Sequence, residues 1–435
     1  MSRKAYRATR VNDVNWEQLA RGMEGLGVAL GVDVGKFDLL VVCRWDDGHF
    51  ERPWRVKNPA EIPALVALVM QIRAERRSVV ALESSGTYGD ALRQALADQG
   101  IEAQRVNGKA AHDYAEVFDG VPSQHDGKDA AVVAELAALG KAKPWGYQPA
   151  DSWEQELTYW VEDMVAQRQT LATWQGRLEG LLARHWPEAS QVLRLSSGTL
   201  LRVLKGYGSP QALAADPEAA QQLARWGRAL LSPEKIEALL AGARSSVGVR
   251  AGPWQQRQIQ DYAERALAAR QQANRAQRRL QDLAKGHPVL AAQGKVVGVP
   301  TACVFWVSTG DPRNFDSAAA YRKAIGLNLV ERSSGTYQGE LRISKRGSAR
   351  TRQWLYFAVL RLVQQCGVRP WYEAEKARHE GEARRVLVAV MRKLAVALYH
   401  VGVRNEGFQP RRLFGRIGRH SRRSAERSVP SKERA

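Results

Sequence analysis

The chain is poor in cysteine, short of acidic residues relative to basic ones, and without long uninterrupted apolar runs. Three cysteines, Cys43, Cys303 and Cys366, stand far apart in 435 residues and share no Cys-x-x-Cys spacing. That excludes a cysteine zinc site and a disulfide framework, and it fits a reducing cytosol. With no long apolar run and no signal-peptide pattern, a membrane surface ranks well below other polyanions. Asp plus Glu number 45 against 65 Lys plus Arg, a formal net charge of +20. Solubility needs far less. Nucleic acid is the natural partner, because each basic contact to phosphate releases condensed counterions. The expected location is the cytoplasm, with association to the nucleoid when DNA is bound. Hydrophobic residues make up 44% of the chain, enough for two or three domains with cores of their own.

Hydropathy patterning divides the chain into five parts. Residues 1–27 are polar and basic and read as a loosely held extension. Residues 28–150 open with apolar strands at Val28–Val34 and Leu39–Arg44. A turn follows at Asp46-Asp47-Gly48, then a third strand over Phe50–Val56. Ile62, Leu65, Leu68, Val69 and Ile72 recur at helical spacing. A buried strand is expected at Ser78–Leu82, a helix over Tyr88–Asp98, a short strand at Glu102–Val106 and a helix from Gly127 to about Leu139. The order β-β-β-α-β-α-β-α is that of an RNase H-like α/β fold, a mixed sheet covered by helices.

Residues 151–290 read as a helical coiled-coil arm with an insertion. One heptad seam runs through Leu157, Trp160, Met164, Leu171, Trp174, Leu178 and Leu181, interrupted at Gln167. A second runs through Ile259, Tyr262, Ala266, Ala269, Ala273, Ala276, Leu280 and Leu283. Small residues there let two helices approach closely, within one chain or between two. Two helices packing separately on a globular body fit the pattern as well. Residues 291–406 form a mainly α second domain, with helices at Ala302–Thr309, Ala318–Ala324, Ser348–Gln365 and Arg384–Val401 and a polar stretch from Glu331 to Gly347. Residues 407–435 are an Arg- and Ser-rich tail, expected to be disordered until it meets nucleic acid.

Four acids stand out in the first domain. Asp33 interrupts an apolar strand, where a carboxylate is costly unless paired or bound to a cation. Glu83 ends the fourth strand. Asp126 and Asp129, three apart at a helix start, share one face. RNase H-like topology sets the ends of the first and fourth strands side by side under the last helix, so the four converge. Like charges that close need a counter-charge, and magnesium or manganese, hard cations that take carboxylate oxygen, supply one. Taken singly the residues have plainer readings: Asp33 can pair with Lys36 or Lys128, and Asp126 can be a helix cap. His125, beside Asp126, is not assigned as a ligand.

At these residues the chain resembles the DEDD transposases of the IS110 insertion-sequence family. The matching segments are GVDVGKFDL around Asp33, ALESSGTYG around Glu83 and HDGKDAAVVAEL around Asp126 and Asp129. Further on, GVPTACVFWVSTGDPRNFDSAAAYRKAIGL, ERSSGTYQGELRISKRGSARTRQWLYFAV and VLVAVMRKLAVAL resemble the family's second domain. The resemblance spans residues 28–406. It departs at Val297-Gly298-Val299-Pro300, where Pro300 lacks a backbone N–H that could bind phosphate.

The resemblance implies a RuvC-like domain that cuts and rejoins donor and target DNA with the four acids and a divalent metal. It implies a second domain whose serine attacks DNA and becomes joined to it. It further implies a non-coding bridge RNA that guides both DNAs, and a composite site formed in a multimer, here a dimer to tetramer. The serine falls at Ser334 in Glu331-Arg332-Ser333-Ser334-Gly335, with Ser333 as competitor. By composition alone, that segment reads as a polar turn. Arg332 and Arg342 can neutralise the attacked phosphate, and no histidine lies nearby to act as base. Arg342, Lys345, Arg346, Arg350 and Arg352, interleaved with Trp354 and Tyr356, read as a phosphate-gripping run or as a solvated helix start. Two other functions compete: a junction resolvase that hydrolyses with water, and a non-catalytic nucleic-acid-binding protein whose acids are structural.

Overall fold

The computed structural model describes residues 8–83, 86–118, 126–147, 152–331, 339, 341–365 and 367–414. The chain divides into two compact units, Met1–Pro149 and Ala150–Ala435.

The first unit is built on a seven-stranded mixed sheet in the order β1-β4-β3-β2-β5-β6-β7. The strands are β1 (Thr9–Arg10), β2 (Val28–Val34), β3 (Asp38–Trp45), β4 (Trp54–Lys57), β5 (Ser78–Glu83), β6 (Gln104–Val106) and β7 (Lys143–Pro144). β2 runs antiparallel to β3 and parallel to β5, which is parallel to β6. The helices are α1 (Trp16–Leu19), α2 (Ile62–Glu75), α3 (Asp90–Asp98), α4 (Gly108–Phe118) and α5 (Asp126–Ala138). Side chains alternate across each strand. Leu30 and Val32 therefore join Leu65, Val69 and Leu92 in one core layer, while Ala29 and Ala81 join Val132 and Val133 of α5 in the other. The RNase H-like order anticipated from the sequence is present.

From Thr9 on, the segment expected to be a loose extension is tied to the first unit. Thr9 and Arg10 pair in parallel with β4, and Val11 and Trp16 are buried. Trp16 stacks on Trp45 with ring centroids 5.4 Å apart, and its indole N–H donates to Glu75 at 2.9 Å. An aromatic ring this large contributes more apolar burial than the polar residues around it can oppose.

In the second unit, α6 (Trp153–His185) and α12 (Pro253–Lys285) are antiparallel helices of 33 residues each, about 50 Å long. Between them lie α7 (Ala189–Val192), α8 (Gly198–Tyr207), α9 (Pro210–Ala215), α10 (Ala219–Gly227) and α11 (Pro233–Arg244). The alanine seam, whose partner the sequence left open, is consumed within the chain: Ala263, Ala266, Ala269, Ala273 and Ala276 are buried. Leu178 and Leu182 enter a core with α8 and α11, whereas Leu157, Val161 and Met164 enter the core of the C-terminal body.

That body comprises α13 (Pro288–Val297), α14 (Val299–Thr309), α15 (Ala318–Ile325), a ladder of β8 (Leu329–Val330) and β9 (Arg342–Ile343), α16 (Ala349–Val363), α17 (Arg369–Arg378), α18 (Ala383–Arg404) and α19 (Pro410–Phe414). By length and composition α18 is apolar enough to cross a membrane, although Arg392 and Lys393 interrupt its apolar run. Its Val390, Leu394 and Leu398 are instead buried against the other helices of the body. The expected disorder of the tail lies, from residue 415 on, outside the described residues.

Candidate active site

Strand periodicity brings the acids together. On β2, Ala29, Gly31 and Asp33 share a face, and on β5 Ala81 and Glu83 share the same one. The parallel register aligns Val32 with Leu82, so Asp33 and Glu83 come next, side by side at the carboxyl ends of both strands. α5 lies directly on that face because Gly31 has no side chain: a Cβ there would overlap the Ala130 carbonyl and the Ala134 backbone. Both Asp126 and Asp129 lie in the first turn of α5, where the unpaired N–H groups of the helix favour negative charge.

The electrostatics follow from this layout. The pKa of Asp33 is pushed up from 3.8 to about 6, first by burial and then by Asp129, Asp126 and Glu83 in that order; the backbone N–H of Val34 opposes the shift. Asp129, Asp126 and Glu83 are thus all within electrostatic reach of Asp33, and Asp129 within reach of Glu83. Neither lysine of the plainer reading is among the leading influences on Asp33. Lys36 is exposed, with its ammonium over the Phe37 ring at 5.0 Å, and Lys128 is buried. Glu83 is also raised, by burial first and by Asp129 second, with His112 opposing.

Two residues near Glu83 escaped the sequence reading. Gly108 opens α4 so close to the carboxylate that a Cβ there would lie 2.5 Å from Oε1. His112 stands one helical turn further along. A short helix whose buried residues are only Ala111 and Ala115 carries a weak apolar signal, so both went unremarked. The loop after Glu83 is also tied in: the Asn58 amide donates to the carbonyls of Gly35 at 3.1 Å and Tyr88 at 3.0 Å.

Among the described residues, no three His, Cys, Asp or Glu side chains are already drawn together at metal-holding geometry. The mutual repulsion acts over longer distances than coordination does. The donor set nevertheless suits a hard divalent cation: four carboxylates, of which Asp33 and Glu83 are held above the usual carboxylate range by burial first and by neighbouring acids second.

In the second unit, Ser333, Ser334 and Arg332 lie outside the described residues. The two ends of the stretch that carries them are pinned by the β8–β9 ladder, in which Leu329 faces Ile343 and Val330 faces Arg342. The basic run has mixed employment. Lys345 and Arg346 are partly or fully exposed, and Lys345 has a positive φ of 55°. Arg350 forms an ion pair with Glu162. Arg352 donates to the carbonyls of Ile325 at 2.9 Å and Gly347 at 3.0 Å, which braces the turn under the ladder. Arg392, which the sequence reading did not single out, donates to the Leu327 carbonyl at 3.0 Å.

A mixed RNase H-like sheet with Asp33 and Glu83 at the ends of adjacent parallel strands, and Asp126 and Asp129 in the first turn of the helix on that face, is the layout expected of a DEDD-type domain. A family model for DEDD transposases, described as "Transposase", matches residues 30–187, and one described as "Transposase IS116/IS110/IS902 family" matches residues 291–375. The two together span more than half of the chain. It belongs to the IS110 family of DEDD transposases and is a DNA transposase. No curated protein matches it. Among solved structures it is similar to RuvC of Thermus thermophilus, free and in complex with a Holliday junction substrate. Each is 19% identical and covers 27% of this chain and 99% of its own, with TM-scores of 0.19 and 0.20.

Proposed function

We propose that this transposase cuts and rejoins donor and target DNA through a two-part chemistry. Asp33, Glu83, Asp126 and Asp129 hold a divalent cation, magnesium or manganese, and Ser334 is the nucleophile. The observation that carries the reading is the convergence of the other three acids on Asp33. Such a cation, when bound, supplies charge neutralisation for the attacked phosphodiester. The serine Oγ forms a bond to phosphorus as the bond from phosphorus to the departing deoxyribose oxygen breaks. The serine proton leaves to a base, and the departing oxygen gains one. The phosphodiester count is conserved, so rejoining needs no ATP. Arg332 and Arg342 carry positive charge to the phosphate, and Lys345 and Arg346 hold the neighbouring backbone.

The family resemblance and the net charge of +20 support a guide RNA as second polyanion. They also support assembly of copies, dimer to tetramer, in which the acids of one chain act with the serine of another. The test is direct. Protein, RNA transcribed from the DNA flanking the gene, and labelled DNA are incubated, denatured and examined for label that migrates with protein. Ser334→Ala removes the adduct and Ser333→Ala leaves it. Cleavage without any adduct means that water is the nucleophile. Full cleavage in excess chelator, or by Asp126→Asn, refutes the metal assignment.

A further inference from the structure

The second unit contains a cleft of about 370 Å³. It opens where the α6 seam loses its apolar residues, at Gln167 and Arg168. Its walls come from α6, α12, the turn between α13 and α14, and α16. Arg168 and Arg361 both line it, together with Gln277, Gly298 and Trp354.

Both guanidiniums are held by neutral acceptors. Arg168 donates to the Gln277 side chain at 2.9 Å and lies over the Trp354 ring at 5.2 Å. Arg361 donates to the Val297 carbonyl at 3.3 Å. Among the described residues, no carboxylate forms an ion pair with either, and the nearby Glu162 is engaged by Arg350. Arg168 is depressed below the usual arginine value, by burial first and by the like charge of Arg361 second. Two like charges held in one cleft by uncharged acceptors repel each other until an anion comes between them. The turn at Gly298, whose φ is +89°, presents the start of α14 to the same space. Pro300 withholds a backbone N–H there, and side chains from α6 and α16 supply the positive charge instead.

We propose that this cleft binds a backbone phosphate of a polynucleotide between Arg168 and Arg361, with Trp354 fixing the plane of the Arg168 guanidinium. The site shares no residue with the four acids or with the basic positions of the Arg342–Arg352 run. The inference rests on the reading of this chain as a nucleic-acid enzyme. Its volume suits one nucleotide unit, and a planar guanidinium is the side chain best matched to phosphate oxygens.

The test uses the full chain and fluorescent probes of one length, a DNA duplex and a single-stranded RNA, titrated at several salt concentrations. Arg168→Gln with Arg361→Gln is compared with the parent and with a control pair, Arg194→Gln with Arg225→Gln, at exposed arginines elsewhere in the unit. Loss of one phosphate contact lowers the slope of log affinity against log salt by about 0.9 for the duplex or about 0.7 for the single strand. The control pair leaves it near the parent value. A loss confined to one probe identifies the polymer.

Equal slopes for the cleft variant and the parent overturn the proposal while leaving the nucleic-acid reading intact. A parent that binds neither probe overturns both. A second measurement needs no variant. Phenylglyoxal modifies accessible arginines, and oligonucleotide should protect Arg168 and Arg361, read by mass spectrometry of their peptides. Absence of protection overturns the proposal, as does equal protection by inorganic phosphate at the same phosphate concentration.

Discussion

Asp33→Asn should stabilise the metal-free protein at pH 8 while abolishing cleavage. Asp33 is raised from 3.8 to about 6, and at 1.36 kcal/mol per pH unit that amounts to roughly 3 kcal/mol. Solvent reaches part of the side chain and screens the repulsion, so about 1–2 kcal/mol is the working figure. The sign follows from proton linkage. Between pH 4 and 6 the folded state holds a proton on Asp33 that the unfolded state has lost, so stability falls as pH rises through this window and levels off above it. Asparagine carries no charge, so the variant lacks this decline. It should match the parent near pH 4 and exceed it at pH 8.

The assay is urea denaturation of the full chain at pH 4.5, 6 and 8. Pulse proteolysis of peptides from β2 and α5 assigns the transition to the first unit. Adding magnesium or manganese at pH 8 should stabilise the parent and shift the variant much less. A variant no more stable than the parent at pH 8, or one whose gain is the same at every pH, would refute burial of the Asp33 charge among like charges as the cause.

The other predictions are structural. Gly31→Ala should destabilise the first unit by about 3 kcal/mol or more, because the added methyl meets the backbone of α5 rather than a movable side chain; calorimetry reads it. Arg352→Ala removes two charge-assisted bonds to carbonyls and should cost the second unit about 1.5–3 kcal/mol. If that variant loses only DNA affinity and keeps its unfolding midpoint, the bracing role is wrong. Leu178→Asp places a charge in a core where Leu178 is fully buried. It should lower the helical circular dichroism of the chain by itself, at protein concentrations where light scattering finds monomers. A variant that keeps its helix content and changes only the assembly state would mean the seam is an interface between copies.

What the sequence carried and what it did not follow one physical division. β2 was legible to the residue, because a buried strand next to a helix is apolar on both faces and Asp33 is its one charged interruption. The approach of Glu83, Asp126 and Asp129 to Asp33 was legible through topology, once the order of strands and helices was known. The alanine seam announced close helix packing, but not its partner, since an alanine face suits a helix of the same chain as well as one from another. Two-residue strands such as β1 and β8 left no trace, because their pairing is set by residues more than ten positions away. The bracing roles of Arg352 and Arg392 were hidden for a related reason: their partners are main-chain carbonyls, which every residue offers and no sequence distinguishes.

The site and the packing that supports it are not independent. Placing four carboxylates together opposes folding, and the fold must hold them there by interactions that do not depend on the acids. Those interactions sit one step back along each element. Ala29 and Gly31 precede Asp33 on β2, Ala81 precedes Glu83 on β5, and Ala130 and Ala134 follow Asp129 on α5, all small and all buried. Small residues on three elements let their backbones approach closely and pack with few voids. The same shortage of side-chain volume that draws α5 onto the sheet also aims its first turn at the strand ends. A larger residue at any of these positions would lift the helix and separate the acids. Repulsion at Asp33 would fall, and with it the demand for a cation. Close packing at Gly31 and the raised pKa of Asp33 are therefore two consequences of one geometry. A variant such as Gly31→Ala that still folds should return Asp33 toward its ordinary pKa while weakening metal binding, an outcome that titration of the Asp33 carboxyl by NMR can read.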